Sequence, residues 1–154
     1  MNETRWLDED EQRAWRAYVR MQGTLNARLN RQLQNDSNMT LSEFEVLVRL
    51  TDVPEEYLTV SELAQALEWE KSRVSHQVTR MERRGLVQRT SCPTDARSAH
   101  VVLTACGRKA IEAAAPGHVE AVRRLFLDEL TTEQLTTLET LATQVLARIE
   151  AEDG

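Results

Sequence analysis

Five glycines and three prolines in 154 residues leave few places where a helix must break, so long helices are expected to dominate. No run approaches the roughly 20 consecutive apolar residues that a membrane-spanning helix needs. The opening segment, Met1-Asn2-Glu3-Thr4-Arg5-Trp6-Leu7-Asp8-Glu9, has neither an apolar core nor a small-residue cleavage pattern, so no secretory signal is expected there. The expectation is a soluble, cytoplasmic protein with no membrane partner. Histidine is scarce too. His76, His100 and His118 are dispersed, no pair has metal-ligand spacing, and there is no glycine-rich phosphate loop. The acidic run from Asp8 to Glu11 reads as helix N-terminal charge. No metal, no cofactor and no enzymatic activity are therefore expected.

What is present is enough apolar material for a packed core, 41% of residues, and an uneven charge. The chain as a whole carries −6, the wrong sign for contact with phosphates. Between Glu70 and Arg97, however, seven basic residues (Lys71, Arg73, Arg80, Arg83, Arg84, Arg89, Arg97) face three acids (Glu70, Glu82, Asp95), a net of +4 that leaves −10 elsewhere. Clustered charge is often only a solvated face, so the surrounding pattern has to decide.

Three helix starts share one signal: Thr40-Leu41-Ser42-Glu43, Thr59-Val60-Ser61-Glu62 and Thr131-Thr132-Glu133-Gln134. Each is a capping box, in which the Thr hydroxyl accepts from the third helical N–H and the Glu or Gln reaches back to the cap N–H. Helices are expected to begin near residues 41, 60 and 132. A first long helix runs roughly from Glu9 to Gln34, with Trp15, Tyr18, Val19, Leu25, Leu29 and Leu33 at helical spacing. Leu86–Thr90 and His100–Leu103 read as strands of a hairpin with a polar tip, and helix resumes after Thr104, with a kink expected at Pro116-Gly117. The order is four helices, a hairpin and two helices.

Over Lys71–Arg84 the side chains of Val74, Val78 and Met81 fall within about 40° of one another on a helical projection. That stripe must face the protein. Ser72, His76, Thr79 and Arg83 then point away from it, flanked by Ser75, Arg73 and Arg80. A helix with such a face fits the major groove, where Arg reads guanine and Ser, Thr or His meet base edges or phosphate. At the hairpin tip Asp95 sits two residues from Arg97, placed to hold its guanidinium outward toward a minor groove.

Several motifs together, Leu63-Ala64, Lys71-Ser72-Arg73-Val74-Ser75, Arg80-Met81-Glu82-Arg83-Arg84-Gly85-Leu86-Val87, Pro93-Thr94-Asp95-Ala96-Arg97 and Leu103-Thr104-Ala105-Cys106-Gly107, resemble the MarR family of bacterial transcriptional regulators along nearly the whole chain. The resemblance implies a mainly α fold with a small β-hairpin, a winged helix-turn-helix flanked by N- and C-terminal dimerisation helices. It implies base contacts from Ser72, Arg73 and His76, backbone contacts nearby, and a minor-groove Arg97. Ala96 stands where family wings more often have Gly or Arg, which bears on the shape of the loop.

On this reading residues 36–104 form the DNA-binding region, and 1–35 with 105–154 the helical dimerisation region. The function implied is a dimeric repressor on a pseudo-palindromic operator in double-stranded DNA, its DNA-contacting set being Lys71, Ser72, Arg73, Ser75, His76, Thr79, Arg80, Arg83, Asp95 and Arg97. Family members are often released by a small aromatic or phenolic effector, and Trp15, Tyr18 and Met21 are the candidates to line its cleft. Two alternatives are a redox-responsive regulator using Cys92 or Cys106 and a winged-helix protein-interaction module. Roughly 25 Å of strand separates the two cysteines, whereas a disulfide needs Cα atoms within about 7 Å, so an internal bridge is not expected.

Overall fold

In the computed structural model, which describes residues 2–91 and 99–154, α1 spans Glu9–Ser37. It opens on a further capping box: Asp8 accepts from the Glu11 N–H at 2.8 Å and the Glu11 carboxylate accepts from the Asp8 N–H at 3.0 Å. The helix ends three residues beyond the expected Gln34, because Asn38 rather than Asn35 takes the left-handed conformation (φ 49°) that caps it. Only Leu29 and Leu33, near its C-terminal end, are buried.

The three expected capping boxes form. Thr40 starts α2 (Leu41–Thr51), Thr59 starts α3 (Val60–Leu67) and Thr131 starts α6 (Thr132–Asp153), each with both reciprocal hydrogen bonds. Helix α4 covers Lys71–Arg83, and α5, Ala105–Leu125, continues across Pro116-Gly117. A 3₁₀ turn at Leu127–Glu129 precedes α6.

The hairpin is Val87–Ser91 (β2) with Ala99–Leu103 (β3), paired antiparallel from Val87↔Leu103 to Ser91↔Ala99. A third strand joins it. Tyr57–Thr59 (β1) pairs antiparallel with the other edge of β3, Tyr57↔Val102 to Thr59↔His100, which gives the order β1-β3-β2. Three residues are too few to show alternation in a sequence, and β1 is held by its partner rather than by its own pattern. The rings of Tyr57 and His100 stack across it at 4.5 Å.

Backbone contacts divide the chain into two compact units, one reaching to His118 and the other Val119–Gly154. The core of the first gathers Leu33, Phe44, Val46, Leu47, Leu50, Leu63, Val74, Val78, Met81, Val87, Val101 and Ile111 from helices and sheet alike. Two glycines shape the passage around it. Gly85, at φ 76°, turns the chain from α4 into β2. At Gly107 a Cβ would sit 2.1 Å from the Leu86 carbonyl oxygen, so the first turn of α5 lies against the start of β2 only because no side chain intervenes. Thr104 caps that turn, its hydroxyl accepting from the Gly107 N–H at 2.9 Å and donating its one hydrogen to the Gly85 carbonyl at 2.6 Å, with the Leu86 carbonyl 3.0 Å away.

Candidate nucleic-acid interface

Helix α3 ends at Glu68 in the left-handed conformation (φ 59°), and the Trp69 N–H reaches the Ala64 carbonyl at 3.0 Å. That tight closure turns the chain directly into α4. Glu70, at its N-cap, makes no side-chain capping bond, so the N-terminal N–H groups of α4 keep capacity for an anion. Val74, Val78 and Met81 are wholly buried, as their spacing predicts, and Gln77 joins them. Lys71, Ser72, Arg73, His76, Arg80 and Arg83 are exposed along the rest of the helix.

Ser75 and Thr79 occupy a different position. Both are half-buried where β2 returns beside α4, and Arg89 of that strand ties them down. Its guanidinium donates to the Thr79 hydroxyl at 2.9 Å, to the Ser75 carbonyl at 2.8 Å and to the Ser75 hydroxyl at 3.0 Å. Thr79 in turn donates to the Ser75 carbonyl at 2.9 Å, which uses its one hydrogen. The Arg89 N–H donates to Glu82 at 2.9 Å. This network fixes the wing to the helix, and no helical projection reveals it because its key residue lies on another element.

Arg84 also turns inward. It pairs with Glu43, a carboxylate 6% exposed, and donates to the Asn38 carbonyl at 2.5 Å, joining the end of α4 to the start of α2 and the end of α1. Two of the seven basic residues counted in the sequence are therefore structural. Asp95, Arg97 and Cys92 lie outside the described residues; Cys106 is an exposed thiol at the start of α5.

Trp15, Tyr18 and Met21 are exposed on α1, with Trp15 and Tyr18 5.8 Å apart. They point away from the core because only the last third of α1 reaches it. A cleft of about 510 Å³ lies beside α2, walled by Leu29, Phe44, Glu45, Arg49, Trp69 and His118. Burial pushes the Glu45 carboxyl up, against the opposing pull of Arg73 and Arg49. Burial likewise pushes the His118 imidazole down. Its ring packs on Phe44 at 4.3 Å, and its Nδ1 has no partner among the described residues, so a proton there would be left unsatisfied.

A short capped helix, a tight turn, a second helix packed on one side and polar on the other, and a hairpin braced against it define a winged helix-turn-helix. The model of the MarR family matches residues 37–98. No curated protein matches the chain. Among solved structures it is similar to AbsC, a MarR family transcriptional regulator from Streptomyces coelicolor, at 38% identity over 96% of this chain and 99% of that one, with a TM-score of 0.90. It is equally similar to Sco3205, a MarR family transcriptional regulator of the same organism solved in complex with DNA: 39% identity, 95% and 91% coverage, TM-score 0.90. A MarR mutant from E. coli complexed with operator DNA follows at 25% identity, 83% and 92% coverage and a TM-score of 0.71. The chain belongs to the MarR family of DNA-binding transcriptional regulators. It is a regulator and not an enzyme.

Proposed function

We propose that the protein acts as a homodimeric repressor that grips a pseudo-palindromic operator, with α4 in the major groove and the hairpin tip on the adjacent minor groove. The observation that carries this reading is the outer face of α4. Lys71, Ser72, Arg73, His76, Arg80 and Arg83 are all exposed, and no ion pair with an acidic side chain holds any of their charges among the described residues. Arg73 and His76 are suited to base edges, and Lys71, Ser72, Arg80 and Arg83 to phosphates. Thr79, its hydroxyl occupied, is assigned to bracing the wing, and Ser75 keeps a hydroxyl proton to donate. Asp95 and Arg97 retain the minor-groove role on their sequence pattern alone.

Dimerisation supplies the second recognition helix. The terminal helical segments, 1–35 and 105–154, are assigned that task because large apolar side chains stay exposed on both: Trp15, Tyr18 and Val19 on α1, Leu138, Leu141 and Val145 on α6. Two-fold symmetry then sets half-sites about 10 base pairs apart. The cleft walled by Phe44, Glu45, Trp69 and His118 supports release by a small effector, since Trp69 belongs both to its wall and to the turn that starts α4. The setting is cytoplasmic.

Selection of DNA sites from a random pool with the intact protein, followed by binding at several salt concentrations, tests the reading. A pseudo-palindrome should emerge, and affinity should fall steeply with salt, by a logarithmic slope of about −0.9 for each phosphate neutralised. Recovery of no common site, with affinity insensitive to salt, would refute it and favour a winged helix used for protein contact.

A further inference from the structure

We infer that Trp69 is a positioning residue for sequence readout: its ring holds the Arg73 guanidinium by the face and leaves the edge of that group to a base. The inference rests on the reading of Arg73 as a base contact. The guanidinium carbon of Arg73 lies 3.8 Å from the centroid of the Trp69 ring. A guanidinium has two recognition surfaces at right angles, a face that stacks on aromatic rings and an edge with five N–H donors. In this protein the face is occupied. None of the donors meets an acceptor among the described residues, in contrast to Arg84 and Arg89, each of which donates from both terminal nitrogens of its guanidinium.

The platform itself is firm. Trp69 is half-buried and packed against the core cluster, and its N–H is hydrogen-bonded to the Ala64 carbonyl. Glu45 on α2 is close enough for Arg73 to oppose the upward shift of its carboxyl, yet the two form no ion pair among the described residues. Stacking on Trp69 thus keeps an exposed, flexible arginine from folding back onto that carboxylate. Ordering such a side chain before DNA arrives removes part of the entropy lost on binding.

The test compares the intact protein with Trp69→Leu, Trp69→Phe, Arg73→Ala and the Trp69→Leu/Arg73→Ala pair, on the selected operator and on a scrambled duplex. Trp69→Leu should weaken the operator by about two- to five-fold, the range of an exposed cation–π contact, and leave the scrambled duplex unchanged. Trp69→Phe, which keeps an aromatic face, should recover most of the loss, and adding Trp69→Leu to Arg73→Ala should cost nothing more. An equal loss in the Arg73→Ala background would overturn the inference by making the ring merely structural. Tighter binding by Trp69→Leu would overturn it by showing that the ring holds Arg73 back. If Arg73→Ala leaves operator preference intact, the base-contact reading of Arg73 fails, a result distinct from failure of the pair. A readout without DNA guards against a misfolded Trp69→Leu: in a Trp6→Phe, Trp15→Phe background, Arg73→Ala should change the Trp69 emission, and an unchanged spectrum would refute the contact.

Discussion

Helices α4 and α6 are both strongly exposed, but what they expose differs. The open face of α4 carries Lys71, Ser72, Arg73, His76, Arg80 and Arg83, and between Tyr57 and Val119 no large apolar side chain is exposed among the described residues. Along α6, Leu135, Leu138, Leu141, Val145, Leu146 and Ile149 are between 36% and 56% exposed. The difference teaches that exposure alone does not identify a site; its chemistry does. A charged, hydrogen-bonding face keeps its water until a polyanion displaces it. An apolar face is relieved by another apolar face, the role that the proposed dimer gives to a second copy of the chain.

The largest way to break this comparison is to give α6 the character of α4. Leu141→Glu should convert the dimer to monomer, measured by sedimentation, and weaken operator binding by a factor of about 30 or more, the scale of a lost interface hot spot. A dimer that survives the change would separate α6 from assembly. Next in size, Arg73→Ala should cost about 1–3 kcal/mol on the operator, with preference relaxed at one base position, whereas Arg83→Ala should weaken all sequences alike and lower the salt slope by about one phosphate. Anisotropy titrations on single-base variants of the operator distinguish the two.

A smaller effect is expected at the brace between wing and helix. Arg89→Met removes the bonds to Ser75 and Thr79 but keeps bulk, so thermal stability should fall by about 1–2 kcal/mol. Operator affinity should fall with it if the wing must be held in place. The smallest effect is a pH dependence. Because burial pushes His118 below its ordinary 6.5, the unfolded chain binds its proton more readily than the folded one. The contribution of His118 to stability is present at high pH and is lost as pH falls through 6.5 toward its lower folded value. Glu45, pushed up, acts in the opposite sense and in the carboxylate range: its carboxyl favours the fold when protonated, and that contribution is lost as pH rises. His118→Gln should therefore flatten the thermal midpoint between about pH 5 and 7 relative to the parent. An unchanged profile would show that the imidazole titrates as it does in the unfolded chain.

What the sequence by itself determined is what local rules decide. The capping boxes at Thr40, Thr59 and Thr131 are complete within four residues, so they formed where they were read, and the Asp8–Glu11 box follows the same rule with Asp in place of Thr. The stripe of Val74, Val78 and Met81 follows from helical periodicity, and the six exposed polar residues of α4 follow from the stripe. Family motifs carried the fold. Only the tertiary structure decided which charges are available and where a cleft opens. Arg89 lies 14 residues from Ser75, and Arg84 lies 41 from Glu43, distances along the chain over which no pattern operates. Strand β1 exists because β3 offers an edge, and a cleft opens beside Trp69 where residues of α1, α2 and α5 come together. The physical reason is one of range: caps and faces are set by neighbours within a few bonds of backbone, while ion pairs, sheet edges and cavities are set by whichever segments packing brings together.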